Sequence, residues 1–366
     1  MSAQKGTSFQ WMLYGAYGVT GRLILEYARQ RGHRPLLAGR DKLRLADLAA
    51  RSGLDSVHID FEAGQSAFPD LSGISAVLNA AGPYFQTGKP LRESCLSAGV
   101  SYLDVNGEIS DFLNALACDK RARERGVAVI PGAGFGVVFG EALAGHVASQ
   151  LPDATWLRIS LAPATDASSI GAMRSTASAL ADGGYVVRAG SLLRRPTAYS
   201  TWKVSDPGPA GRSFRFAEAP RAELIAAQRL TGVPNITAGV ALPLAAAIVL
   251  RLTGRFVGTT LMRMTEKRRS IQATRAEFAP HGVRSRVFAE AGNDKGVQVA
   301  SVLETGEGYH VAAVTAVHAV EQLMALRPIG ALTPVQAFGV DLALSVPGTA
   351  IRAIARADIP GAVTPV

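Results

Sequence analysis

Three glycines at a spacing of three, in the run Leu13-Tyr14-Gly15-Ala16-Tyr17-Gly18-Val19-Thr20-Gly21, are the residues whose type and spacing say most about chemistry. Gly15 permits a tight turn, Gly18 lets backbone come close to a bulky anion, and Gly21 lets a following helix pack closely on a preceding strand. The free N–H groups and partial positive charge at a helix start favour a diphosphate at that point. Gly15, Tyr17, Gly18, Val19, Thr20 and Gly21 are therefore candidates to cradle the diphosphate of a dinucleotide. The spacing is G-x-x-G-x-x-G rather than G-x-G-x-x-G, so the flanks carry part of the argument. Residues 9–14 are apolar and β-prone, while Leu23, Ile24, Tyr27 and Ala28 recur on one helical face opposite Arg22, Glu26, Arg29 and Gln30.

Further candidates stand where later strands should end. The second ends in Ala38-Gly39-Arg40-Asp41. A carboxylate at this point binds a ribose 2′-hydroxyl and an arginine accommodates a 2′-phosphate, so Arg40 favours NADP(H) over NAD(H). The plainer alternative has Arg40 in water or capping the next helix, with Asp41 as its N-cap. Asp60 is placed to border the adenine. The small-residue turn Asn79-Ala80-Ala81-Gly82-Pro83-Tyr84 lets a nicotinamide ribose lie against backbone, which makes Asn79 and Gly82 cofactor candidates. Hydride transfer needs a donor for the charge that develops on the acceptor and exclusion of water. Tyr84 is the nearest hydroxyl, and Asp104, Asn106 and Glu108 follow the fifth strand, so Tyr84 and Glu108 are the catalytic candidates. Packing of Tyr84 over the ring, and capping of the following helix by Glu108, remain as alternatives. Tyr199 and Lys203 have the Tyr-x-x-x-Lys spacing of short-chain dehydrogenases, but they lie between Pro196 and Pro207 in a segment that reads as extended. Side chains four apart do not stack on one face there.

The scaffold these residues need is an alternation of strands and helices. Strands are expected at 9–14, 34–38, 57–60, 76–79, 101–105 and 127–130, with helices at 20–30, 42–50, 88–98 and 110–125 and a short irregular link near Phe68. Right-handed crossovers give a Rossmann-type, doubly wound parallel α/β sheet of order 3-2-1-4-5-6, with a ligand crevice at the carboxyl ends of strands one and four. A second, α+β domain is expected after Pro131, with a helix at 141–149, a strand at 156–161, a helix at 172–181 and a hairpin pairing 284–291 with 298–303. Val311, Val314, Val317, Val320 and Met324 form one stripe of a long helix. The division expected is 1–131, 132–324 and a helical tail, 325–366, returning to the first domain.

The runs G-A-Y-G-V-T-G-R-L, L-A-G-R-D, V-L-N-A-A-G-P-Y, Y-L-D-V-N-G-E and P-G-A-G-F-G resemble the saccharopine-dehydrogenase-like NADP-binding family, which includes trans-acting enoyl reductases of lipid and polyketide assembly. The likeness covers the first 145 residues and thins beyond, where Gly306 to Tyr309 and Leu332 to Gly339 resemble the family's closing segments. Gly136 stands where many relatives carry Asp, and Phe139-Gly140-Glu141 replaces their Pro-Ser-Asp. The resemblance implies an NADP-dependent oxidoreductase and, at family level, a homodimer through the second domain.

Composition is that of a chain able to bury two cores, with 366 residues at 48% hydrophobic. Residues 1–8 are polar without an apolar signal core, so a cytoplasmic protein is expected. Cys95 and Cys118 fall on helices and read as packed thiols, and the six histidines lack ligand spacing, so no metal is expected. The net charge of +9 suits an anionic cofactor, carrier or membrane surface, and equally an arginine-rich solvated surface. No nucleic-acid-binding motif accompanies it. Residues 236–250 carry no charge and are followed by Arg263, Lys267, Arg268 and Arg269. A membrane contact or acyl-chain entrance is one reading; a buried helix broken at Pro243 before a solvated basic turn is the other.

Three functional expectations follow. The first is NADPH-dependent reduction of a C=C bond in an acyl or polyketide thioester, free or carrier-bound. The second is imine reduction at an amino-acid-like substrate, for which Arg174, Arg188 and Arg194 would converge on carboxylates. The third is a non-catalytic dinucleotide-binding protein docked to lipid or a partner.

Overall fold

Short apolar runs build a parallel sheet: β1 (Trp11–Tyr14), β2 (Leu36–Gly39), β3 (Ser56–His58), β4 (Ala76–Asn79), β5 (Ser101–Asp104) and β6 (Ala128–Ile130). Between them run α1 (Val19–Gln30), α2 (Lys42–Ser52), α3 (Tyr84–Ala98), α4 (Ile109–Leu116) and α5 (Asp119–Arg125). The computed structural model describes residues 9–61, 70–164, 170–206, 211–267 and 283–355. The link near Phe68, Arg268 and Arg269 lie outside the described residues, as does the Lys267 side chain. β1 and β4 are buried at every position, as expected of central strands covered on both faces. The order is β3-β2-β1-β4-β5-β6, all parallel, the doubly wound arrangement read from the sequence.

The helix expected at 110–125 is instead two, α4 and α5, turning at Cys118. The turn lets Asp119 accept the Ala331 N–H at 2.8 Å, which ties on a seventh strand from far along the chain. That strand is β15, after α6 (Val137–Gln150), β7 (Trp156–Ala162), α7 (Ile170–Asp182), β8 (Gly184–Arg188), β9 (Ser191–Arg195), β10 (Thr201–Ser205) and β11 (Ser213–Glu218). Then come α8 (Glu223–Thr231), β12 (Asn235–Ala241), α9 (Leu244–Lys267), β13 (Ser285–Gly292), β14 (Gln298–Thr305) and α10 (Gly308–Leu326). The chain continues through β15 (Gly330–Ala331), α11 (Pro334–Phe338), α12 (Asp341–Leu344) and β16 (Ala350–Ala353). Among the described residues the tail is thus helical only in short pieces. It touches the first sheet through β15 and places β16 on the edge of the second, against β14.

The second sheet runs β10-β11-β12-β7-β13-β14-β16, with β8 and β9 attached at β12. It is curled. Phe214 and Phe216 of β11 lie 5.7 Å, centroid to centroid, from Phe288 of β13 although two strands separate them. A flat sheet would hold those strands about 14 Å apart. The curl encloses Trp202, Phe216 and Phe288 and brings Asp206, at the end of β10, within 2.7 Å of Arg286 on β13. One apolar core joins the two sheets, running from Leu13 and Leu103 through Phe139 and Leu143 of α6 to Val287 and Leu303.

The uncharged stretch 236–250 is not the single buried helix that one sequence reading had it be. Its first part is β12, a central strand paired in parallel with β7, and its second opens α9, a largely exposed helix. Strand and helix share one apolar composition, and only their neighbours separate a buried strand from an exposed helix face.

Candidate cofactor and active site

At the carboxyl end of β1 the chain turns through Gly15, whose φ of +83° is a left-handed conformation that side chains disfavour. The turn is tied by the Gly15 N–H to the Ala38 carbonyl at 2.8 Å and by the Gly18 N–H to the Gly15 carbonyl at 2.9 Å. A Cβ on Gly21 would lie 2.2 Å from the Gly15 carbonyl oxygen, so α1 can meet the turn this closely only without a side chain there. Gly18 is the N-cap of α1 and offers no side-chain acceptor. The N–H groups of Val19, Thr20 and Gly21 in the first turn are left for solvent or an anion. The cradle therefore fits a diphosphate.

Tyr17 leaves this loop and lies over the end of β2. A Cβ on Gly39 would be 2.5 Å from its ring, and its hydroxyl accepts the N–H groups of Arg40 and Asp41 at 3.1 and 3.0 Å. Arg40 is exposed here, and its carbonyl meets His58 Nε2 at 2.8 Å. Asp41 caps α2, accepting from the N–H groups of Leu43 and Arg44. Arg44, which sequence reading missed, stacks over the Tyr17 ring at 4.8 Å. Tyr17 thus lies between the Arg44 guanidinium, which covers its ring, and the Arg40 backbone, which its hydroxyl holds. Asp60 is half-buried two residues beyond β3.

Asn79, at the end of β4, is fully buried and works within the protein. Its amide donates to the hydroxyls of Tyr102 and Thr87 at 3.1 and 3.2 Å, and its carbonyl oxygen accepts the Ala81 N–H at 2.9 Å. The Thr87 hydroxyl donates to the Ala81 carbonyl at 2.6 Å. Asn79 and Thr87 thereby shape the Ala80-Ala81-Gly82 turn beside Gly15, and Gly82 is half-buried ahead of a cis peptide to Pro83.

Glu108 does not cap the helix after it. Its carboxylate accepts the N–H groups of Tyr84 and Phe85 at 3.0 and 3.2 Å, at the start of α3, and the Ser175 hydroxyl of α7 at 2.6 Å. Held this way, α3 begins at Tyr84, four residues earlier than expected. Burial raises the Glu108 carboxyl while these donors pull it back. Tyr84 is 7% exposed, and burial with the charges of Asp104, Glu108 and Asp111 keeps its proton on.

Beneath them lies a buried polar layer. Arg92 and Asp111, 1% and 2% exposed, form a bidentate pair at 2.8 and 2.9 Å, and Asp111 also accepts from Asn106 at 3.0 Å. Asp104 accepts the N–H groups of Gly132 and Asn106 on one oxygen at 2.8 and 3.0 Å, while burial, with the Asp111 charge added, pushes it up to about 7. Arg92, Thr87 and Ser175 carry no sequence pattern that could have singled them out. Their roles come from partners brought in by the fold.

The second-domain arginines engage separate partners. Arg188 donates to the Val187 carbonyl and to Thr237, whereas Arg194 donates to the Asp182 carbonyl and stacks on Tyr185. Tyr199 is sandwiched by Arg195 and Arg251, and Lys203 lies on a strand, as the extended reading required. Cys95 and Cys118 are buried free thiols. Among the described residues no group of His, Cys, Asp and Glu could hold a metal ion.

Residues 11–130 match the family described as the saccharopine dehydrogenase NADP binding domain. The domain thus defined ends with β6 and contains the cradle, Arg40 and the Asn79 turn. The trans-acting enoyl reductase of Mycobacterium bovis is 32% identical over 135 residues, 35% of this chain and 32% of that protein. That of Mycobacterium ulcerans is 33% identical over 144 residues, 37% of this chain and 34% of that protein. The matched stretch is thus a minor share of the relatives' length. In fold, the apo saccharopine dehydrogenase (L-Glu forming) of Saccharomyces cerevisiae is similar over 95% of this chain and 100% of its own, with a TM-score of 0.62 at 11% identity.

Proposed function

We propose that this chain is an NADPH-dependent oxidoreductase that reduces a C=C bond of an acyl or polyketide thioester. The observation that carries the proposal is the glycine cradle joined through Tyr17 to Arg40 and Arg44. When bound, NADPH would supply hydride to the alkene carbon β to the thioester, leaving NADP⁺, and water would supply the proton that completes the α carbon. The protein's share is positional. The first turn of α1 holds the diphosphate, the two arginines hold the 2′-phosphate, and the Asn79–Thr87 pair sets the turn against which the nicotinamide ribose lies. Glu108 and Tyr84 hold the start of α3 and act as positioning residues.

The thioester is favoured over an amino-acid-like imine by two observations. The local likeness is to trans-acting enoyl reductases, and Arg188 and Arg194 spend donors on unrelated partners instead of pooling them for a dicarboxylate. The test is cofactor titration and NADPH oxidation with an enoyl thioester and, separately, with an amino acid plus a 2-oxo acid. Replacing both arginines, Arg40→Ala with Arg44→Ala, should weaken NADPH by at least about tenfold while changing NADH by less than about twofold. Equal weakening of both cofactors would remove the 2′-phosphate assignment, and oxidation only with the amino acid pair would replace the thioester.

A further inference from the structure

α9 is the one helix among the described residues long and apolar enough to cross a membrane, yet its neighbours show that it lies along a surface. Its inner face is small. Ala247 is buried, and a Cβ on Gly258 would meet Ala181 N at 2.4 Å and the Ala177 carbonyl at 2.8 Å, so α9 rests closely on α7. The opposite face is apolar and open: Ile248, Val249, Leu252 and Phe256 are 52%, 55%, 79% and 76% exposed. Single exposed apolar residues are ordinary, but four on one helix face form a patch that requires a partner or an apolar phase.

Charge decides what that partner is. Arg251, Arg255 and Arg263 are exposed along the same helix, and the sequence from 235 to 265 contains no Asp or Glu. A second copy seated symmetrically on this face would set Arg251 and Arg255 against their own copies, with Glu266 at the far end of α9 as the helix's one acid. A transmembrane path would carry Arg251 and Arg255 to mid-bilayer and strip α9 from α7. An anionic bilayer surface meets both features, taking the apolar side chains among its acyl chains and the guanidinium groups at its phosphates.

We propose that α9 docks the protein peripherally on anionic membranes through the Ile248–Leu252–Phe256 face and its flanking arginines. α7, the helix beneath α9, carries Ser175, whose hydroxyl reaches Glu108 at the start of α3. One helix layer, about 8–10 Å between axes, then separates the bilayer-facing element from the crevice wall. Docking stands on this surface alone and does not depend on the catalytic reading.

The experiment is co-sedimentation of the full chain with vesicles of phosphatidylcholine alone and of phosphatidylcholine mixed with phosphatidylglycerol. Binding should be at least about tenfold stronger to the anionic vesicles and weaken with salt. Leu252→Glu with Phe256→Glu, and separately Arg255→Glu with Arg263→Glu, should each reduce it by about tenfold or more, with circular dichroism and thermal midpoint unchanged. All four side chains are exposed, so both variants keep the fold. The proposal is overturned if the wild type stays in the supernatant, or if both variants sediment like it. It is equally overturned if ultracentrifugation gives a wild-type dimer that Leu252→Glu with Phe256→Glu dissolves.

Discussion

A carboxylate or phenol at the carboxyl end of a parallel sheet invites a catalytic role, and the burial of Glu108 and Tyr84 supports the positioning role proposed for them. Glu108 is 4% exposed and already accepts from two backbone N–H groups and a serine, so its charge is spent on the first turn of α3. Tyr84 is buried, and burial together with the charges of Asp104, Glu108 and Asp111 holds its proton on. Tyr84→Phe should therefore leave turnover and NADPH affinity within about twofold of wild type, as a transition-state donor would not. A fall of about a hundredfold in turnover at unchanged affinity would return Tyr84 to proton transfer. Arg44 teaches the converse. It had no motif to announce it, yet it lies over the ring of Tyr17, whose hydroxyl accepts the Arg40 N–H.

Among elements, α7 and α9 meet closely where Gly258 faces Ala177 and Ala181. The helices come close because Gly258 has no side chain to hold them off Ala177 and Ala181. Gly258→Leu should force them apart and cost about 1–3 kcal/mol in a urea titration. An unchanged midpoint would mean that the two helices already move independently. β12 makes a related point about reading sequence: with residues 236–250 uncharged throughout, nothing local distinguished it from the helix that follows. Pairing with β7 and β11 buries β12, whereas α9 has packing on one side only.

At the scale of the molecule, Glu141 joins parts that are nearly two hundred residues apart. It sits fully buried in α6 and accepts the Thr333 hydroxyl and the Val335 N–H, fixing the start of α11 against the core shared by the two sheets. Burial pushes its carboxyl from 4.5 up to about 8, and Asp104 from 3.8 up to about 7. Both therefore hold a proton in the folded chain that they release when unfolded at the same pH. Stability from these two groups is complete below about pH 4 and falls as pH rises through about 7 to 8. The thermal midpoint should accordingly drop between about pH 5 and about pH 8, and Glu141→Gln, which keeps an acceptor but cannot ionise, should flatten that drop. An identical pH profile in the variant would show that Glu141 stays neutral or stays charged throughout.

The sequence by itself determined the first domain. Its strands are short apolar runs, its turns need glycine for steric reasons, and a helix must follow Gly18 for the amides to point at an anion, all of which are local requirements written within a few residues. The order of the six strands was legible for the same reason. Only the tertiary structure decided the rest. That includes the ion pair of Arg92 with Asp111, the grip of Ser175 on Glu108, the curl that lets Phe214 touch Phe288, and the exposure of α9. Each depends on residues distant in the chain becoming neighbours, and whether a polar group is paired or an apolar face is covered is a property of those neighbours, not of the residue itself.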